Sequence, residues 1–183
     1  EVLAQLLFGR NLADISAFQA LQLANAVATL AGRGGNGVVG NLRDRFGLAP
    51  RSVISTQATV DPEAELGDGV QVLMGACVGL AARIGAFSIL NTNATVDHEC
   101  RVGSGVHVMG GAAIAGRVVI GDHATVGTNA TLLPEVTIGA GGQVGAGALV
   151  RRDTDPNEVV VGLPARRLRI EPPVVDLSIL NAI

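Results

Sequence analysis

From Ile54 onward an aliphatic residue returns every six positions: Ile54, Val60, Leu66, Val72, Val78, Ile84, Leu90, Val96, Val102, and so on without a slip to Val150. Two positions before each, from Ala58 to Ala148, sits a small or β-branched residue such as Ala76, Ala94, Cys100, Val118 or Ala130. Glycine often follows the aliphatic position, as at Gly67, Gly85, Gly103, Gly121 and Gly139. A period of six is neither the 3.6 of a helix nor the 2 of a long strand. It predicts very short strands separated by turns, each unit sending one large and one small side chain inward. Three units close a triangular coil of about 18 residues, and stacked coils pair through parallel ladders roughly 4.8 Å apart.

The rest of the chain breaks this rhythm. In residues 1–50, "ADISAFQALQLANAVATLAG" spaces its apolar residues at helical intervals, and "GRGGNG" ends the pattern. A mostly helical N-terminal segment is expected there. The repeat covers 51–153. Residues 154–183 form a C-terminal extension, with "EPPVVDLSILNAI" broken by prolines. The sequence starts at Glu1 rather than Met and shows no signal-peptide n-region, so either an imposed boundary or a missing N-terminal piece is expected.

Composition narrows the picture. Hydrophobic residues make up 48% of the 183 positions but aromatics only 2%, with no Trp or Tyr. The interior must therefore be built from Val, Ile, Leu and Ala. The formal net charge of −3 gives no basic footprint for nucleic acid. Every long apolar run is interrupted, so no membrane span is expected. Two cysteines are no disulfide framework, which fits a reducing cytoplasm.

Candidate chemistry centres on "VDHEC", residues 96–100. Val96 and Cys100 fall on inward register positions, so Cys100 reads as a small core residue. Asp97, His98 and Glu99 are left at a corner. Histidine titrates near neutrality and can take a proton, and an adjacent carboxylate can orient its ring. Either Asp97 or Glu99 could play that part. Neither His98, His107 nor His123 occupies an inward position. Their gaps of nine and sixteen residues are not multiples of a coil, which argues against three converging metal ligands.

The segment from "NTNATVDHECRVGSGVHV" to "GALVRRD", followed by "VVVGLPARRL", resembles the hexapeptide-repeat acyltransferases, in particular the sialic acid O-acetyltransferase and nucleotide-amino-sugar N-acetyltransferase family. The match spans roughly 50–170, and "HEC" followed nine residues later by "HV" is its most specific element. The resemblance implies an all-β solenoid, a left-handed parallel β-helix, although parallel crossovers in general are right-handed. It implies acetyl-CoA as acyl donor, a sugar or nucleotide-sugar acceptor acetylated on an amino or hydroxyl group, no metal, and a homotrimer with active sites between subunits. It implies His98 as general base tuned by Glu99, and His107 in contact with the acetyl thioester. The Gly116 amide would support the thioester oxygen, and Thr128 and Ala146 would line the pantetheine and nucleotide channel. Two alternatives stand beside this: a metal hydratase resembling γ-class carbonic anhydrase, and a non-catalytic solenoid scaffold.

Overall fold

Strands of two residues recur every six positions, from β1 (Val53–Ile54) to β17 (Leu149–Val150), each separated from the next by a four-residue corner. The computed structural model describes residues 52–171, so the expected N-terminal helical segment lies outside the described residues. The first fourteen strands each pair in parallel with the strand 18 residues on, as Val53 does with Gln71 and His107 with Thr125. Three sheets result, of eight, six and five strands, and together they form a parallel β-solenoid. They are named here faces A, B and C. Face A contains β10 (His107–Val108), face B contains β8 (Thr95–Val96), and face C contains β9 (Arg101–Val102).

The interior is the lattice the spacing predicts. Leu90, Val96, Val102, Val108, Ile114 and Ile120 are buried, with the small column of Ala94, Cys100, Val106, Ala112 and Ala124 between them. With no ring to accommodate, successive coils can repeat the same cross-section. The one polar member of the small column, Ser88, is satisfied: its hydroxyl donates to the Gly103 carbonyl at 2.8 Å and accepts the Val106 N–H at 3.0 Å. Cys100 donates its thiol to the Ala115 carbonyl at 3.1 Å, and burial pushes its pKa up, so it is held as an unreactive core thiol.

The glycines separate into two kinds. Gly67, Gly85, Gly103, Gly121 and Gly139 form one column at the corner between faces C and A, because the next coil passes very close. A Cβ on Gly85 would lie 2.5 Å from the Gly103 carbonyl carbon. The left-handed residue of each corner lies two positions further on, and there glycine is not the rule. Ala81, Phe87, Asn93, Glu99, Arg117, His123, Asn129 and Glu135 all take φ between 55° and 67°.

The solenoid does not stop at residue 153. β18 (Glu158–Val161) adds a further parallel rung to face A, pairing Gln143 with Val159. β19 (Arg166–Ile170) then folds back antiparallel on it. This part of the C-terminal extension therefore belongs to the prism. Face C ends at β15 (Thr137–Ile138), where the Asp153 carboxylate accepts the Thr137 N–H at 2.8 Å and Thr154 donates its N–H to the Thr137 carbonyl at 2.9 Å. Face B ends at β17, whose Leu149 bonds to Gly162 and Ala165. Beneath this lid the Glu158 side chain is fully buried, held by Arg167 at 2.9 Å, the Asp155 N–H at 2.7 Å and Arg152 at 3.5 Å. No helix among the described residues is long and apolar enough to cross a membrane.

Candidate active site

His98 sits at the corner between faces B and C, carried there by β8 and β9. The corner bends the chain at Glu99, whose φ is +58°, and so brings two adjacent side chains together that a straight strand would send to opposite faces. Glu99 Oε2 lies 3.0 Å from His98 Nδ1. An ionised carboxylate can only accept, so Nδ1 carries the hydrogen, and in the neutral imidazole it is Nε2 that keeps the lone pair. Asp97 serves the backbone instead, its Oδ1 accepting the His98 N–H at 2.7 Å. Of the two acids flanking His98, Glu99 is the one that holds the ring.

Nε2 reaches over the corner of the next coil. Gly116 lies there, 18 residues on and buried, and a Cβ at that position would be only 2.4 Å from Nε2. Two hydrogen bonds fix the peptides around it: Arg117 N–H to the His98 carbonyl at 3.0 Å, and Glu135 N–H to the Gly116 carbonyl at 3.1 Å. Next to this corner a groove of about 280 Å³ runs along face B, lined by the small outward side chains of Cys77, Thr95, Ala113 and Thr131 with Asp97 and Leu133 at its edge.

The remaining predicted residues form a second group. His107 projects from face A, between Ile89 and Thr125 of the neighbouring rungs. Its Nε2 is 3.5 Å from Asn91 Nδ2, and burial pushes its pKa down, which keeps it neutral at physiological pH. Thr128 and Ala146 stack 18 residues apart at the exposed corner between faces A and B. Face A is the side of the prism opposite the corner that carries His98. One chain therefore assembles His98, Glu99 and Gly116 at one place and His107, Thr128 and Ala146 at another, with the aliphatic core between them.

His123 is at neither place. It lies at the corner between faces C and A, where a Cβ on Gly105 would be 2.7 Å from its Nδ1. The three histidines thus occupy three different positions around one prism. Among the described residues no three His, Cys, Asp or Glu side chains gather as a metal site would require. Arg117 and Glu135 carry no local sequence signal; they are marked only by falling 18 and 36 residues, one and two coils, beyond Glu99.

The family of the bacterial transferase hexapeptide (six repeats) matches residues 99–134 and 117–152. Among solved structures, PerB from Caulobacter crescentus, in complex with CoA and GDP-perosamine, is 36% identical with a TM-score of 0.73. The alignment covers 75% of this chain and 67% of that one. The chain belongs to the hexapeptide-repeat acyltransferase family. Another member, the acetyltransferase domain of PglB from Neisseria gonorrhoeae, is 33% identical with a TM-score of 0.72, over 75% of this chain and 67% of that one. WeeI from Acinetobacter baumannii is 31% identical with a TM-score of 0.72, over 75% and 68%. Against perosamine N-acetyltransferase from the same Caulobacter, solved as a histidine variant, the chain spans 63% of the relative's length. No curated protein sequence matches the chain significantly.

Proposed function

We propose that this protein transfers the acetyl group of acetyl-CoA to an amino or hydroxyl group of a sugar, with the amino group of a nucleotide-linked amino sugar as the preferred acceptor. The observation that carries the reading is the His98–Glu99 pair, with Nδ1 held at 3.0 Å and Nε2 directed over Gly116. The relatives support the substrate class, since PerB holds CoA and GDP-perosamine and PglB has been solved with acetyl coenzyme A.

In this mechanism the acceptor nitrogen attacks the thioester carbonyl and loses its proton to His98 Nε2 as the C–N bond forms. Glu99 stabilises the imidazolium that results. As the tetrahedral intermediate collapses, the C–S bond breaks and His98 returns the proton to the departing CoA thiolate. Neutral His107 and the Gly116 amide stabilise the oxyanion. Thr128 and Ala146, small residues at an exposed corner, leave room for the pantetheine arm. Because His107 and His98 lie on opposite sides of one prism, the site needs a second copy. The proposed homotrimer sets the His98 corner of one subunit against face A of the next, giving three equivalent sites under threefold symmetry. The reaction belongs to the cytoplasm, where acetyl-CoA is supplied.

Release of free CoA thiol, screened across nucleotide-linked amino sugars and free sugars, identifies the acceptor. With that acceptor, His98→Asn lowers kcat by about 10²–10⁴-fold while acetyl-CoA binding, measured calorimetrically, is unchanged. Undiminished turnover in His98→Asn rules out the base assignment, and absence of acetyl-CoA binding rules out the reaction class.

A further inference from the structure

Glu99, Arg117 and Glu135 stand one above another at the same corner position of three successive coils. All three adopt the left-handed conformation, with φ of 58°, 60° and 67°. That backbone costs roughly 1 kcal/mol or more for a residue with a side chain, and elsewhere in the prism Gly105, Gly111, Gly141 and Gly147 occupy the equivalent position. The three charges are linked. Arg117 directs Nε and NH2 at Glu135 Oε1, at 3.0 and 2.9 Å, and its NH1 lies 3.6 Å from Glu99 Oε2. That carboxylate oxygen is the same one that faces His98 Nδ1. An isolated ion pair this exposed contributes little to stability, so a purely structural ladder gives weak reason to keep three long side chains in a strained conformation.

We propose that Arg117 is a positioning residue that acts through Glu99 to set the basicity of His98, and that Glu135 governs how strongly it does so. This rests on the reading of His98 as the general base. A carboxylate shared between an imidazole and a guanidinium offers the imidazolium less stabilisation than one facing the imidazole alone. His98 then gives its proton up to the leaving thiolate more readily. Glu135 draws the guanidinium away from Glu99 and limits the effect. The groups facing His98 are few: Asp97 and Glu99 on its own corner, Arg101 on the adjoining strand of face C, and Arg117 and Glu135 on the coils beyond. The coil on the other side presents the uncharged Gly79, Leu80 and Ala81 at its corner, followed by Arg83, which is in register with Arg101 and paired with Glu65 at 3.3 Å.

The signs follow. Removing the Arg117 cation favours the imidazolium and raises the titration midpoint of His98. Removing Glu135 leaves the whole guanidinium charge to Glu99 and lowers it. NMR titration of the imidazole C–H resonances of the full chain reads this directly, with His98 assigned by the resonance lost in His98→Asn. Arg117→Gln raises the midpoint by roughly 0.3–1 pH unit, and the acid limb of kcat/KM moves the same way. Glu135→Gln lowers it by a comparable or smaller amount, and in the Arg117→Gln background has no effect, because its influence runs through the guanidinium. Arg117→Lys restores the charge without the fork and recovers the midpoint only in part. An unmoved His98 midpoint in Arg117→Gln overturns the proposal, as does a Glu135→Gln shift of equal size in both backgrounds. The midpoints are measured without turnover, so they report on the ladder even if the His98→Asn result excludes His98 as the base.

Discussion

Gly116 shows how little room the corner leaves. Its φ is not left-handed, so alanine is tolerated by the backbone, but the added methyl would lie 2.4 Å from His98 Nε2. The imidazole is a side-chain end and can swing aside, so the fold survives while the ring loses its place. Gly116→Ala is therefore expected to lower kcat about 10²-fold with an unchanged thermal midpoint, and steady-state kinetics beside a melting curve check both halves. At this scale the sequence was partly legible. The six-residue register put Val96 and Cys100 inside and left His98 outside, as found. It could not choose between Asp97 and Glu99, because that depends on a positive φ at a residue that is neither Gly nor Asn. Nor could it flag Arg117, since a coil's length separates it from the residues it touches and no local pattern marks the pair.

Among the elements, the two-residue strands were readable because each needs only one large and one small inward residue, repeated without exception. The corners were harder. Glycine in the sequence marks both where the next coil comes close, as at Gly85, and some of the left-handed turns, as at Gly105, while residues such as Glu99 and Arg117 take that same turn with a side chain and without a sequence signal. The top of the prism was hidden for another reason: Asp153 replaces a backbone carbonyl with its side chain, so the repeat continues in hydrogen bonding after it has ended in sequence. Glu158 is the keystone there. Hydrogen bonding from Arg167 holds its carboxyl below the ordinary carboxylate range, against the opposing effect of burial. A depressed folded-state pKa contributes stability above the unfolded value and loses it as pH falls through the folded one. Glu158→Gln should lower Tm by roughly 3–10 °C at neutral pH, and the gap to the parent protein should close on acidification. Calorimetry across that pH range tests it, and a pH-independent gap would mean that the charge is not what matters.

For the whole molecule, the separation of His98 from His107 around the prism makes a prediction that no single chain can fulfil. Neither His98→Asn nor His107→Asn alone should be active. Dissociated and reassembled in equal amounts, they place an intact His98 opposite an intact His107 at about a quarter of the interfaces of a random cyclic trimer. Activity should return to roughly that fraction of the parent value. If the mixture stays inactive, both histidines serve the same chain or do not share a site. The overall architecture was the most legible level of all, because a solenoid repeats its evidence with every turn. The hand of the coil was not: it was inferred by likeness to a family, against the general preference of parallel crossovers.

The antiparallel return of β19 has one more consequence. A stack of identical rungs has no inherent length, and each new coil offers the next the same row of unpaired amides and carbonyls. Here the growing end is closed three times over, by Asp153 and Thr154, by Gly162 and Ala165, and by a reversed strand whose arginines alternate with Leu168 and Ile170. The lid is thus a chain terminator, which separates a finite prism from a fibre of the same cross-section.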